Sequence, residues 1–342
     1  MGDVALLAPV VQAFTERYPG VAITLVTRPK FAAFFDQLPN VRVIGADFAG
    51  RHNGVVGLSR LFGELRQLGS FDLVVDANQN LRSLFLKSLF WAVGVPSVTL
   101  DKGRADKKAL TRKEHKIRRP LPHSVERYAR LFDQAGFALQ PPLSFQFSTP
   151  PAAGDEVTAF LERQPLMTGV PWLGIAPFAQ HKQKMWPFDR FGPLLERLYA
   201  GQPVQVFLFG GGAADIAQLN TLKGRFPQAI VVAGQLSLAA ELALIRRLNG
   251  MICMDSGNMH LAALSGVPVV SIWGATHTDA GFGPWGQGEE AIVQVSPEVL
   301  TCRPCSVFGS KPCWRGDLAC LNDISVEAVA ERVQRLLSQQ MA

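Results

Sequence analysis

"GMICMDSGNMHLAALSGVPVVSIWG", residues 250–274, places an apolar run, a polar loop, an apolar helix-like stretch and a second apolar run one after another. Short apolar runs bounded by Gly and Pro are typical of buried strands, so the stretch predicts a strand–loop–helix–strand unit. Asp255, Ser256, Gly257 and His260 fall in the loop and the start of the helix, where open parallel sheets bind ligands. The stretch therefore predicts an α/β fold and a binding site together.

The same alternation runs through the rest of the chain and predicts parallel sheets with crossover helices. The predicted strands are 21–27, 41–45, 72–76, 96–100, 172–178, 204–211, 229–234, 250–255 and 267–274. A chain of 342 residues is long for one hydrophobic core, and the Pro-rich segment 139–155 has the composition of a linker. We predict two domains, 1–150 and 151–342, with a terminal helix at 326–337.

The start of the chain departs from this pattern. "MGDVALLAPVVQAFTERYPG", residues 1–20, begins with a loop and an amphipathic helix, whereas a doubly wound domain normally opens on its central strand. We therefore predict that the first strand of the N-terminal domain is missing and that the natural protein begins upstream of Met1.

Composition favours a compact soluble fold, because 48% of the residues are hydrophobic and 18% are charged. The most lipid-like stretch, "SLFLKSLFWAVGV" at 83–95, contains Lys87 and is shorter than the roughly 20 apolar residues that cross a bilayer. No signal-peptide pattern opens the chain. These features predict a cytoplasmic protein whose five cysteines stay mostly reduced.

Positive charge is concentrated in residues 101–119, where nine Lys or Arg stand against three Asp or Glu. This difference equals the whole net charge of +6. Such a cluster indicates either a local anionic partner, namely phosphates, sugar acids or an anionic membrane face, or a solvated loop. A nucleic-acid surface would interleave basic and aromatic residues, and this segment has no aromatic except His115.

Several motifs together resemble one family. Residues 237–277, which contain the Asp-Ser-Gly-x-x-His segment, are similar to the donor site of glycosyltransferase family nine, the ADP-heptose:lipopolysaccharide heptosyltransferases. "GDVALLAPVVQAF", "DLVVDANQNLRS" and "KMWP" at 184–187 also resemble that family, in order, from Gly2 to about Ile324. The resemblance implies a GT-B architecture: two Rossmann-like doubly wound domains facing a cleft, with acceptor in the first and nucleotide-sugar in the second.

The resemblance also implies roles for single residues. Asp3 would be the general base on the acceptor hydroxyl, although its place before "VALLAPVV" also suits a helix N-cap. Lys184 and the loop Ser256–Asn258 would hold the donor diphosphate, because a leaving group that grows negative needs positive charge or N–H donors. Asp215 stands near the ribose position, where the family commonly has a longer Glu.

The remaining candidates follow from residue chemistry. We expect Gly257 to allow close approach of a ligand to the backbone, and Asp255 to contact backbone donors or sugar hydroxyls. His260 would hydrogen-bond or neutralise a leaving phosphate, or else be a structural histidine. The candidate acceptor-binding cations are Lys107, Lys108, Arg112 and Lys113.

Four cysteines near the C-terminus leave alternatives open. Their spacing, C-x2-C-x7-C-x6-C, is compatible with a tetrahedral metal site, with free thiols or with a disulfide. The four are Cys302, Cys305, Cys313 and Cys320. We expect no metal and no cofactor in the reaction.

The sequence as a whole predicts an inverting, metal-independent glycosyltransferase that moves heptose or a related sugar from an ADP-sugar to the lipopolysaccharide inner core. Its expected partners are the nucleotide-sugar, the lipopolysaccharide acceptor and the inner membrane at its cytoplasmic face, with no nucleic acid. The alternatives are a nucleotide-sugar epimerase of the same fold and a non-enzymatic phosphate- or nucleic-acid-binding module, which only the sequence pI near 9.2 favours.

Overall fold

The computed structural model describes residues 1–140 and 143–341, so Pro141, Pro142 and Ala342 lie outside the described residues. Part of the Pro-rich segment 139–155 is therefore not described. The α-helices are α1 Gly2–Ala5, α2 Ala8–Arg17, α3 Gly54–Arg66, α4 Leu81–Ala92, α5 Arg104–Leu110, α6 Ser124–Gln134, α7 Pro151–Leu161, α8 Phe191–Gly201, α9 Ala213–Arg225, α10 Leu238–Ile245, α11 Gly257–Leu264, α12 Ala319–Asn322 and α13 Val326–Met341. The strands are β1 Ile23–Thr27, β2 Val41–Gly45, β3 Val74–Asp76, β4 Ser97–Thr99, β5 Trp172–Ala176, β6 Gln205–Leu208, β7 Ile230–Val231, β8 Gly250–Met254, β9 Val269–Trp273 and β10 Ile292–Gln294.

The described chain divides into two compact units. The first contains residues 3–104 and 124–145, together with Met1. The second contains residues 105–123 and the chain from Gln146 onward, together with Gly2. Most of the basic segment thus groups with the second unit, although it precedes the expected boundary at 150/151, which itself stays a prediction.

Six of the described strands form one parallel sheet in the second unit, in the order β10-β9-β8-β5-β6-β7. The central strands are apolar along nearly their whole length and are buried, as expected for a sheet covered on both faces. Because the chain passes from β5 to β6 on one side and returns with β8 on the other, the strand order reverses between β5 and β8. Ligands of doubly wound sheets bind beyond the carboxyl ends of the strands at such a switch point.

The first unit is built differently. Within its described residues the strands form two separate parallel pairs, β1-β2 and β3-β4. Its α3 and α4 pack together over a core that contains Leu61, Leu65 and Phe90. No strand joins the two pairs among the residues described, but whether a first strand precedes Met1 stays a prediction.

The structure confirms the predicted α/β fold and every strand position named from the sequence. It adds β10, a three-residue edge strand that is too short to give a periodic signal. The loop predicted at the start of the chain is wrong, because Gly2–Ala5 form the short helix α1. The predicted amphipathic helix follows as α2, whose start beside Pro9 agrees with the preference of proline for the first turn of a helix. No described helix is long and apolar enough to cross a bilayer.

Candidate active site

Lys184 follows β5 and ends a short 3-10 helix, Lys182–Lys184. Its place is fixed by Trp186, which is almost fully buried and donates its indole N–H to the carbonyl of Ile324 at 3.1 Å. The carbonyl of Gln183 accepts the N–H of Ala275, in the loop after β9, at 3.1 Å. "KMWP" is therefore a rigid loop that carries a lysine to the end of the sheet.

The ammonium of Lys184 lies against Asp255, which follows β8. Lys184 Nζ is 2.8 Å from Asp255 Oδ2, and the hydroxyl of Thr276 donates to the same oxygen at 2.7 Å. Asp255 and Thr276 are buried, and the Lys184 side chain is mostly so. Asp255 contacts a lysine and a threonine because three loops meet where the β5, β8 and β9 ends adjoin, and its expected contact with sugar hydroxyls stays a prediction.

Thr276 is held in turn by Arg303, whose side chain is completely buried. The Arg303 guanidinium donates to the carbonyls of Gly274 at 2.7 Å and Thr276 at 3.1 Å. Bonds to several carbonyls of one loop fix the backbone of that loop, since Arg presents its donors in a rigid fork. Sequence reasoning missed both Thr276 and Arg303. "GATH" at 274–277, inside the family-like segment, carried a signal for Thr276, whereas nothing in that segment pointed to Arg303.

Helix α11 begins at the switch point with Ser256 as its N-cap residue. The Ser256 hydroxyl caps no backbone N–H, and its oxygen is buried without a hydrogen-bond partner among the described residues. The Nδ1 atom of His260, one turn into the helix, is likewise buried and unpartnered within residues 1–140 and 143–341. Buried polar atoms are normally satisfied, so two such atoms beside a free helix N-terminus indicate a polar ligand.

His260 is a neutral imidazole at physiological pH. Burial, with the charges of His123 and Lys184 nearby, lowers the pKa of His260 to about 3. A neutral ring can donate or accept a hydrogen bond, but it cannot supply positive charge. Of the two roles expected for His260 toward a phosphate, hydrogen bonding fits a neutral ring, and neutralisation would require the phosphate itself to raise this pKa.

Asp215 lies in the first turn of α9, after β6. Its Oδ2 accepts the N–H of Gly211 at 2.9 Å, which closes the glycine turn between strand and helix. Gly212, with φ of 90°, adopts a backbone conformation that favours glycine. The Asp215 carboxylate therefore stabilises the glycine turn. Its expected contact with the ribose of the donor stays a prediction.

The sequence model of "Glycosyltransferase family 9 (heptosyltransferase)" matches residues 58–307, which is more than half of the chain. The chain belongs to glycosyltransferase family 9. The predicted family is therefore confirmed.

Individual relatives agree. Lipopolysaccharide heptosyltransferase 1 of Pseudomonas aeruginosa is 27% identical over 318 residues, covering 89% of this chain and 83% of the relative. A crystal structure of the glycosyl transferase family 9 from Veillonella parvula superposes with a TM-score of 0.77 at 22% identity, covering 99% and 95% of the two chains. The structure of the Escherichia coli heptosyltransferase WaaC with ADP superposes with a TM-score of 0.67 at 18% identity, covering 98% of this chain and 97% of WaaC. These structures share the GT-B class of fold with this glycosyltransferase.

In this family 9 chain, Asp3 lies in the first unit. It is an exposed residue in the first turn of α1, and its backbone carbonyl accepts the hydroxyl of Tyr128 in α6 at 3.1 Å. Asp3 is thus inside the short helix rather than at the cap position that its sequence also suggested. Its role as general base is untested by this geometry.

The basic segment of the glycosyltransferase packs on the second unit. Lys107 is buried with its ammonium 4.3 Å from the ring centre of Phe282, whereas Lys108, Arg112 and Lys113 are exposed. The four candidate acceptor-binding cations are therefore in unequal environments. Sequence reasoning missed Lys116, whose Nζ donates to the carbonyls of Cys302 at 2.7 Å and Pro304 at 2.5 Å.

Those carbonyls belong to the cysteine-rich loop. Cys302, Cys305, Cys313 and Cys320 line a common cavity of about 10 Å³, the space of a single water molecule. All four are free thiols. Within the described chain no three His, Cys, Asp or Glu side chains are arranged to hold a metal ion.

Proposed function

We propose that this glycosyltransferase transfers heptose, or a related sugar, from an ADP-sugar to the inner core of lipopolysaccharide, with inversion at the anomeric carbon and without a metal. The observation that carries the proposal is the arrangement after β5 and β8, where the mostly buried ammonium of Lys184 lies 2.8 Å from Asp255 Oδ2, next to the start of α11. A lysine and a helix N-terminus together provide a site for a diphosphate.

The unpartnered Ser256 hydroxyl supports an anionic ligand at this place. The N–H groups at the start of α11, from Gly257 and Asn258, have no intrahelical acceptors by their position and suit phosphate oxygens. We infer that Asp255 positions the Lys184 ammonium rather than binding phosphate, because two anions would repel each other. His260, as a neutral imidazole, would add a hydrogen bond.

In the proposed reaction the acceptor hydroxyl oxygen forms a bond to the anomeric carbon while the bond from that carbon to the diphosphate oxygen breaks. The leaving ADP keeps the electron pair, and the developing negative charge is stabilised by Lys184 and the α11 N-terminus. The hydroxyl proton goes to a carboxylate, for which the family resemblance nominates Asp3. Attack from the face opposite the leaving group inverts the anomeric configuration.

The identity of the donor and acceptor draws on the relatives. WaaC was solved with ADP, and the Pseudomonas aeruginosa relative is named for lipopolysaccharide. For this chain we propose Lys107, Lys108, Arg112 and Lys113 as cations that attract the anionic acceptor, with the three exposed ones in direct contact. Because lipopolysaccharide carries a lipid, we also propose that the enzyme works at the cytoplasmic face of the inner membrane.

The test is an assay with ADP-heptose and a heptose-deficient lipopolysaccharide acceptor, with product mass and anomeric configuration as readouts, in buffer with and without a chelator. We expect one heptose added with inverted configuration and no effect of chelation. The matched control replaces ADP-heptose with a UDP-sugar, which should give no product. Conversion of the donor without acceptor would favour an epimerase, and loss of turnover on chelation would contradict the metal-free reaction.

A further inference from the structure

Helix α4 presents a stripe of large apolar side chains to solvent. Leu81, Leu84 and Trp91 are 84%, 55% and 75% exposed. Together with Ser88 they occupy positions 81, 84, 88 and 91, which are three or four residues apart and therefore lie on one face of the helix. Single exposed apolar residues are common on protein surfaces, whereas a contiguous apolar stripe indicates an interaction surface.

The exposure is not that of a frayed element. The start of α4 is fixed by a capping box, in which the Asn80 side chain accepts the N–H of Ser83 and the Ser83 hydroxyl accepts the N–H of Asn80, both at 2.9 Å. The opposite face carries Phe90, which is buried and meets the Phe62 ring edge-on with centres 4.9 Å apart. One face of α4 is thus anchored in the core while the other stays open.

The two charged residues of α4 itself are both cations. Residues 77–100 contain Arg82 and Lys87 and no Asp or Glu. At about 100° per residue, these two cations lie on either side of the stripe. Arg82 is exposed, and Lys87 donates to the hydroxyl of Thr99 at 2.6 Å. An apolar face with cations along its margins is the pattern of helices that lie in the plane of an anionic membrane surface.

The length of α4 agrees with lying on a bilayer rather than crossing it. Its 12 residues span about 18 Å, well short of a hydrocarbon core of about 30 Å. Trp91 suits the boundary between headgroups and acyl chains, where an apolar ring with a polar N–H is most favourable. A partner protein would satisfy the apolar stripe, but it would give no reason for cations to be the only charged residues of α4.

We propose that α4 docks this glycosyltransferase on an anionic lipid bilayer, with Leu81, Leu84 and Trp91 inserted at the headgroup boundary. The inference rests on the proposed function in one respect, since an acceptor that carries a lipid has to be reached at a membrane surface. The docking itself is a property of the first unit and can be measured without turnover.

The experiment measures co-sedimentation of the full chain with phosphatidylcholine vesicles that contain about one-third phosphatidylglycerol, and with phosphatidylcholine alone. We expect the protein to bind the anionic vesicles and to bind neutral ones much more weakly. The double variant Leu84→Glu/Trp91→Glu should lose binding about tenfold or more, because carboxylates at these positions would be repelled and desolvated. Since both side chains are exposed, the variant should keep the melting temperature of the parent.

The control is Val299→Glu, which replaces an apolar side chain that is 74% exposed in the second unit by one carboxylate. It should bind vesicles as the parent does. Equal binding by the double variant, or no binding by the parent, would overturn the proposal. So would a parent dimer, seen by light scattering, that the double variant converts to monomer, because the stripe would then be covered by a second copy.

Turnover of a deacylated acceptor saccharide separates this proposal from the proposed function. The double variant should turn over that soluble acceptor at the parent rate. If the parent transfers no sugar to any lipopolysaccharide acceptor while the vesicle result holds, the proposed function fails and the docking of α4 stands.

Discussion

The two units of this glycosyltransferase present their polar candidates in opposite ways. In the second unit Lys184, Asp255 and Thr276 come from three loops and are bonded to one another under almost complete burial. In the first unit Asp3 is exposed on a four-residue helix, and the strands form two separate pairs. A continuous sheet aligns the ends of neighbouring strands, so side chains on successive loops converge, whereas a discontinuous one leaves each loop to its local contacts.

The difference has a chemical consequence. The proposed donor site consists of buried, mutually bonded groups, so it would be organised before a ligand arrives, and its electrostatic effects would be strong because water is excluded. An exposed carboxylate has to be positioned by other contacts before it can act as a base. The first unit should therefore control the rate of proton transfer, and the second should control donor affinity. Four experiments test this contrast.

The largest effect is expected for Asp3→Asn. If Asp3 is the base, kcat should fall by about two to four orders of magnitude, since a positioned base contributes that much, while ADP binding stays unchanged. Steady-state kinetics and ADP titration of the same preparation measure both. The control is Asp36→Asn, another exposed carboxylate of the first unit. A kcat within threefold of the parent would remove Asp3 from the mechanism.

Next comes Lys184→Gln, which keeps a hydrogen-bond donor near the buried Asp255 carboxylate but removes the positive charge. We expect kcat/KM to fall by about two to three orders of magnitude and ADP to bind several-fold more weakly, because charge stabilisation of the leaving group is lost. Lys182→Gln, at the exposed end of the same 3-10 helix, should behave as the parent. Equal losses in both variants would place the effect in the loop rather than in the ammonium.

The third experiment concerns stability against pH. The pKa of His260 falls to about 3 in the folded protein, against about 6.5 when unfolded, so below pH 6.5 the unfolded state binds the additional proton. Stability contributed by the neutral ring is fully present above that value and declines as pH falls toward 3. By pH 5 the loss should be about 2 kcal/mol.

Urea unfolding of the parent and of His260→Asn at pH 7.5 and 5 measures this loss, which the variant should not show. Glu241, whose pKa burial raises to about 7, titrates in the opposite sense, but it is common to both proteins and cancels in the comparison. The exposed His115→Asn serves as the control and should keep the parental pH dependence. An unchanged dependence in His260→Asn would mean that the ring is hydrated or already paired.

The smallest effect is expected for Thr276→Val, which preserves shape and removes the hydroxyl that donates to Asp255. A buried carboxylate that loses one donor holds Lys184 less firmly, so donor KM should rise about tenfold with a smaller change in kcat. Thr276→Ser restores the hydroxyl and should recover most of the loss. If serine fails to rescue, the methyl group and packing matter more than the hydrogen bond.

The alternation of apolar runs and the Asp-Ser-Gly-x-x-His segment were sufficient to predict the α/β fold, the strand positions and the family. They succeed because buried parallel strands need continuous apolar runs, and because a helix that starts after such a strand leaves free N–H groups at a known edge of the sheet. The sequence also showed that residues 83–95 are unusually apolar, but it did not indicate which face of their helix would be exposed to solvent.

The partners of these groups depend on the tertiary structure. The pairing of Lys184 with Asp255 spans 71 positions of sequence, and Arg303 reaches back to the carbonyls of residues 274 and 276. The burial that makes His260 neutral, and that separates Lys107 from its exposed neighbours, comes from elements distant along the chain. Sequence determines which residues stand at the end of a strand, but proximity, and with it charge state, depends on how the strands are ordered in the sheet.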